Sequence, residues 1–220
     1  MSINMNYRGA IFDLDGVIVD TAKFHFMAWH KIAEELGFQF KSEDNERLKG
    51  VSRMRSLEIL LEIGGLTLDE NEKRTIAEKK NQLYLEMLVD FSPEDTFVGV
   101  KEFILFLRRL GIKIALGSAS KNAKYILQKL DILNLFDEIV DGTMTTEGKP
   151  NPEVFLLGAK LLDLNPNACV VFEDAPAGIE AANRCGMYSV GIGDSQSLKA
   201  AQKLIPDFSN WKDLTDLFNN

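Results

Sequence analysis

No apolar run in this chain approaches the roughly 20 residues that a bilayer-spanning helix needs, so a membrane protein is not expected. Cysteine is nearly absent: Cys169 and Cys185 are two in 220 residues. Two thiols make no disulfide framework, and both are expected to be reduced and to pack as small apolar side chains. Basic residues are outnumbered, 25 Lys and Arg against 33 Asp and Glu, for a net charge of −8. They are interspersed with acids rather than gathered into a stripe. That argues against nucleic acid as a partner, because binding it requires a surface that neutralises phosphates. A local basic pocket can still hold a small anion. The opening MSINMNYRGA lacks the apolar middle of a secretory signal, so a cytoplasmic location is expected. There is no internal repeat and no low-complexity tract.

What is present is 45% hydrophobic sequence. That is enough for a substantial core, in one domain or in one domain with a small insertion. Short apolar runs at 8–12, 111–120, 138–142, 168–174 and 187–193 read as strands. Unbroken runs of this kind suit a parallel sheet covered on both faces. Between them lie helical patterns at 100–111, 121–130, 151–162 and 178–186. The first places Phe103, Leu107 and Leu110 on one face and stops at Gly111. In the third, Pro152 falls in the first turn, where proline is tolerated. This alternation predicts a doubly wound, Rossmann-like α/β sheet with right-handed crossovers. Residues 22–90 break the rhythm with three helical patterns and no strand. They read as an all-helical cap inserted after the first strand. The expected division is a core of 1–19 and 93–220 and a cap of 20–92, with hinges near Val19–Thr21 and Ser92–Asp95.

Ligands of open α/β sheets bind beyond the carboxyl ends of the strands. Four of the predicted strand ends carry polar residues: Asp13 and Asp15, Ser118, Lys149, and Glu173 with Asp174. Four carboxylates in one crevice repel one another unless a divalent cation and a lysine neutralise them. Oxygen-only ligands suit Mg²⁺. One aspartate could then bind metal and attack phosphorus while the other moves a proton. The spacing of two suits this, with Asp13 at the strand tip and Asp15 one step into the loop.

These motifs resemble those of the haloacid dehalogenase superfamily of phosphoryl-transfer enzymes. Asp13-Leu14-Asp15-Gly16-Val17, Ser118 after an apolar strand, Lys149-Pro150 and Glu173-Asp174 occur in the family's order. The helical insertion matches its small-cap subgroup. The stretches FDLDGVIVDTAKFHFMAWHKIAEELG, LKGVSR, GSASKNA and KPNPEVF resemble the sugar phosphomutases of that superfamily. The resemblance implies an isomerase exchanging a phosphoryl group between the 1 and 6 positions of β-D-glucose through a bisphosphate; separately, a monomer is expected. A small-molecule phosphatase on the same core is the alternative. An aspartate-phosphorylated signalling module fits less well, because it needs neither cap nor Asp15.

The resemblance also implies roles. Asp13 is the nucleophile and Asp15 the general acid–base. Mg²⁺ is held by Asp13, the Asp15 carbonyl and Asp174, with Glu173 direct or through water. Ser118 and Lys149 hold the transferring phosphoryl group, helped by the Gly16 and Ala119 amides. Arg53 grips the second phosphate, with Ser120, Lys121 and Asn122 as neighbours. From the cap, Lys49, Gly50, Val51, Ser52 and Arg53 form a motif, Lys80 faces the crevice, and His25 lies near Asp15 and Lys49. Trp29 packs the cap or walls the pocket, and Thr21 bonds Asp15 at the hinge when the cap opens. One departure is Ala175, where a serine commonly follows the aspartate of the last motif.

Overall fold

The apolar runs pair as six strands. They are β1 (Gly9–Phe12), β2 (Lys113–Gly117), β3 (Glu138–Val140), β4 (Cys169–Glu173), β5 (Tyr188–Ile192) and β6 (Lys203–Ile205). The computed structural model describes residues 7–48 and 51–218. All pairings are parallel, in the order β3-β2-β1-β4-β5-β6. The chain winds outward from β1 to β3 and then returns to the other side of β1 with β4. That reversal leaves a crevice beyond the carboxyl ends of β1 and β4.

Alternation along the strands fills two layers. Ala10 and Phe12 of β1 and Val170 and Phe172 of β4 face the larger apolar cluster, with Phe103, Leu107 and Ile126. Ile11, Ala115 and Val171 face the other cluster, with Phe155, Ala159 and Ala181. Helices α5 (Val100–Arg109) and α6 (Ala123–Lys129) cover the first face; α7 (Glu153–Leu161) and α8 (Pro176–Arg184) cover the second. Both cysteines are free thiols, and Cys169 is fully buried in the second layer.

Between β1 and α5 the described residues are helical apart from short turns and two isolated bridges at Val19. They form α1 (Ala22–Glu35), α2 (Ser42–Asn45), α3 (Arg53–Gly64) and α4 (Glu70–Met87), which make the inserted cap. Asp69 opens α4 with a capping box to Glu72, and Gly65 closes α3 in the left-handed conformation. Trp29, Ile32, Phe40, Leu57, Leu60 and Ala77 make the cap's own apolar cluster. Ala28, Tyr84 and Leu88 instead join the large cluster under the sheet, so the base of the cap is continuous with the core. The two crossings between core and cap touch. Val19 bridges Asp15 on one side and Thr96 on the other, and the Phe97 N–H donates to the Ile18 carbonyl at 2.9 Å.

Candidate active site

Phe12 and Phe172 stack at 4.6 Å between ring centroids, and each immediately precedes an acid of the site. Their burial carries Asp13 and Glu173 into an apolar base. Asp13 is 5% exposed and Glu173 0%. The Asp13 N–H donates to the Phe172 carbonyl at 3.0 Å, which fixes the two strand tips side by side. Lys149 answers their charge: its Nζ lies 2.6 Å from Asp13 Oδ1 and 2.8 Å from Glu173 Oε2. Burial works against the Lys149 ammonium, but Asp13 and Glu173 overcome it and push its pKa up. The Glu173 pKa is raised, chiefly by burial and then by Asp13, and its Oε1 accepts from the Ala175 N–H at 3.0 Å.

Asp174 completes the acidic group. Ligand oxygens of Asp13, Glu173 and Asp174 all lie within 4.8 Å of one another. Burial first, then Glu173 and Asp13, raise the Asp174 pKa. One lysine is not enough for this cluster, and an oxygen-only set starved of positive charge fits a hard divalent cation. The approach depends on two glycines. Gly16 has φ +79°, and a Cβ there would overlap the Asp174 carboxylate. A Cβ on Gly178 would overlap the Glu173 carboxylate.

Asp15 stands across from this group. Thr21 Oγ1 donates to its Oδ1. Burial, then the charge of Asp13, lifts its pKa to about 6, against smaller opposing effects of Thr21, Lys149 and Lys80. From β2, Ser118 is 1% exposed, and its Oγ accepts from the Ser120 N–H at 3.1 Å.

A single cavity runs from Asp13, Asp15, Asp174 and Ser118 past Ala119, Ser120, Lys121 and Asn122 to the cap residues His25, Trp29, Val51, Arg53 and Lys80. Lys80 is 2% exposed, and its Nζ is 2.7 Å from His25 Nδ1. It also lies 5.0 Å from the centre of the Trp29 ring and 4.7 Å from that of Tyr84. Burial, then Arg53, brings the Lys80 pKa down to about 7. Burial, then Lys80 and Arg53, keeps His25 well below its usual value and hence neutral.

The residues singled out from sequence divide as follows. Those just named converge on the cavity, while the buried Lys149 and Glu173 do not line it and reach it only through the Lys149 contact with Asp13. Thr21 is buried behind Asp15. Ser52 does not line the cavity; its hydroxyl caps α3 by accepting from the Arg55 N–H at 3.3 Å. Lys49 and Gly50 lie outside the described residues. Asn45, Ser56 and Asn81 also line the cavity and were not foreseen. For Asn81 a signal existed: it neighbours Lys80 on the same helix.

Residues 7–186 match the model of the haloacid dehalogenase-like hydrolase family. The chain is 42% identical over 205 residues to a β-phosphoglucomutase of Bacillus subtilis, covering 92% of this chain and 91% of that one. It is 34% identical over 201 residues to a phosphorylated carbohydrates phosphatase of Thermotoga maritima, covering 90% of each. The crystal structure of a β-phosphoglucomutase from Clostridium difficile superimposes with a TM-score of 0.94 at 40% identity, over 97% of each chain. Lys149, expected at a strand end, lies instead in the loop between β3 and α7, nine residues past Val140. The match across the sheet, the cap and the four motifs places this chain in the haloacid dehalogenase-like hydrolase family.

Proposed function

We propose that the protein is a Mg²⁺-dependent β-phosphoglucomutase, interconverting β-D-glucose 1-phosphate and β-D-glucose 6-phosphate through the 1,6-bisphosphate. The observation that carries this reading is one cavity with a group suited to handling phosphate at each end, Asp13, Asp15 and Ser118 at the core and Arg53 with Lys121 at the other. A hydrolase of monophosphates needs one such end, whereas a bisphosphate that turns round between two half-reactions needs two. At the core end, Asp13 attacks phosphorus; a new P–O bond forms on its carboxylate as the bond to the sugar oxygen breaks. Asp15 gives its proton to that departing oxygen and later takes one from the attacking hydroxyl. A pKa near 6 suits both duties. Ser118 and Lys149 hold the phosphoryl oxygens.

Asp13, the Asp15 carbonyl and Asp174 would hold Mg²⁺, with Glu173 direct or through water. When bound, the ion supplies the positive charge that lets carboxylate and phosphate meet. At the far end, the Arg53 guanidinium holds the other phosphate with Ser120, Lys121 and Asn122. Neutral His25 orients Lys80 toward Asp15, and Trp29 and Val51 wall the sugar. Residues 20–92 form the closing cap, with core segments 1–19 and 93–220. Cap closure excludes water, so that the phosphorylated Asp13 waits for a sugar hydroxyl.

The test is a coupled assay with β-glucose 1-phosphate, Mg²⁺ and a trace of bisphosphate. Glucose 6-phosphate is the expected product, and the α anomer should not react. Free phosphate as the main product would turn the reading to a carbohydrate phosphatase, the activity named for the Thermotoga relative. Asp13→Asn should abolish turnover; wild-type rates in that variant would contradict the nucleophile assignment.

A further inference from the structure

Lys149 reaches the acids from the loop between β3 and α7, so a loop rather than a strand sets where its ammonium sits. Among the described residues, no backbone hydrogen bond is made by the Lys149 N–H or carbonyl. Its neighbours on either side are tied instead, and most of the ties lead to one side chain. Glu153, the first residue of α7, accepts through Oε2 from the Thr146 N–H at 2.9 Å and from the Glu147 N–H at 2.8 Å. The Thr146 hydroxyl donates to the same oxygen at 3.2 Å. The Glu153 N–H donates to Asn151 Oδ1 at 2.9 Å, and Asn151 Nδ2 donates to the Glu147 carboxylate. The chain from 146 to 153 is thereby closed into a ring with Lys149 near its middle. Arg184, at the end of α8, donates to the Pro150 carbonyl at 3.2 Å, which fastens the ring to the helix that follows Glu173 and Asp174. Two residues beyond Glu153, the Phe155 ring centre lies 4.8 Å from Lys149 Nζ. The first turn of α7 therefore fixes the lysine twice, once through its loop and once at its ammonium.

A carboxylate in the first turn of a helix has an ordinary explanation, since the helix dipole favours negative charge there. That explanation does not call for an oxygen aimed at N–H groups seven and six residues upstream. Those bonds serve the loop. We propose that Glu153 is a positioning residue for Lys149: by clasping loop 146–153 it holds the ammonium between Asp13 and Glu173, where it meets the transferring phosphoryl group. The meeting with phosphate rests on the proposed function; the placement against the two acids does not. Without the clasp the loop spreads over many conformations, and the ammonium spends less time within reach of Asp13. The loss falls on the transfer step and spares sugar-phosphate binding, because Arg53 stands at the other end of the cavity.

The experiment compares wild type, Glu153→Ala and Glu153→Gln in the coupled assay with β-glucose 1-phosphate. Glu153→Ala should lower kcat about ten- to hundredfold, as expected when a reacting group is displaced by about 1 Å, with KM unchanged. Glu153→Gln keeps a carbonyl oxygen for both N–H groups and should stay within about fivefold of wild type, the difference between a charged and a neutral acceptor. A residue serving only the helix dipole would make Gln as damaging as Ala. The second measurement needs no turnover. The melting loss caused by Glu153→Ala is taken in the wild-type and Lys149→Met backgrounds, with a chelator present. It should be smaller beside Lys149→Met, because part of it passes through the ion pairs of Lys149. Asn151→Ala cuts the other tie and leaves the Glu153 charge in place; it covers the case in which Glu153→Ala does not fold, and it should also lower kcat at constant KM. An unchanged kcat in the Ala variants, equal damage from Gln and Ala, or equal melting losses in the two backgrounds would overturn the proposal. If β-glucose 1-phosphate yields only free phosphate, the mutase reading falls; the rate of phosphate release then replaces kcat, and the melting comparison decides the placement as before.

Discussion

Lys149→Met keeps most of the side chain's volume beside Phe155 and removes the cation that lies between Asp13 and Glu173. Removing one partner of a buried ion pair costs about 3–5 kcal/mol, because the other charge is left without compensation. In a chain of this size, about 2–4 °C of melting temperature per kcal/mol makes the expected fall about 6–20 °C. The pH dependence follows from the direction of each shift. Lys149 has a raised folded pKa, so its own stabilisation is complete below its unfolded pKa and is lost only in strong alkali. The deficit in the variant therefore tracks Glu173, whose pKa burial and Asp13 have already raised. A raised carboxyl costs stability above its unfolded pKa of about 4.3, and that cost disappears below it. Because Glu173 in wild type already takes up its proton near about 7, and removing Lys149 raises that value further, the loss should be largest in mild alkali near about pH 9 and shrink as pH falls through about 7. Thermal melts across that range, with a chelator present so that no metal substitutes for the lysine, provide the measurement. Lys149→Met combined with Glu173→Gln should recover part of the loss. A fall under about 2 °C, or one independent of pH, would refute the argument that these acids depend on Lys149.

Asp15→Asn should stabilise the fold while stopping transfer to sugar. The rise of Asp15 from 3.8 to about 6 corresponds to up to about 3 kcal/mol at pH 7, which water in the cavity reduces to about 1–2. Because the shift is upward, the gain is full above about pH 6 and fades as pH falls toward about 4; urea melts at the two pH values check it. Mg²⁺ at a hundredfold its dissociation constant should add about 2.7 kcal/mol to unfolding, and Asp174→Asn should erase that increment in thermal melts. Gly16→Ala should cost about 1–2 kcal/mol from its left-handed backbone and also weaken the Mg²⁺ response, since the new methyl displaces the Asp174 carboxylate. Gly37→Ala is the control: it has φ +87° and open space around it, so it should carry only the backbone cost.

Much of the core was legible because its signals are local. Apolar runs ending in acids marked β1 and β4, and the four helical stripes of the core fall within three residues of α5, α6, α7 and α8. β6 was missed because Lys203–Ile205 is short and buries only Ile205. Its strand character comes from pairing with β5, which no run of three residues announces. At the site, strand ends were easy to place because each acid follows its own apolar strand. The cap was harder. Lys80 looks like any lysine on a highly charged helix, yet Trp29 and Tyr84 enclose it. Ser52 falls in a motif that suggests ligand contact, but local helix capping uses its hydroxyl. Asn81 had only its place beside Lys80 to mark it, since its partners Arg53 and Asn122 are remote in sequence.

The bridges at Val19 have a mechanical meaning. The outgoing and returning crossings are pinned to each other beside the sheet, so the cap is mounted on one pivot rather than on two independent tethers. A lid on a single pivot swings along one arc. Asp15 is paired to that pivot, whereas Asp13 is bound into the immobile sheet through Phe172. Under the roles proposed for the two aspartates, a swing of the cap would turn the Asp15 segment against Asp13, which is fixed to the sheet, and so would time one aspartate relative to the other.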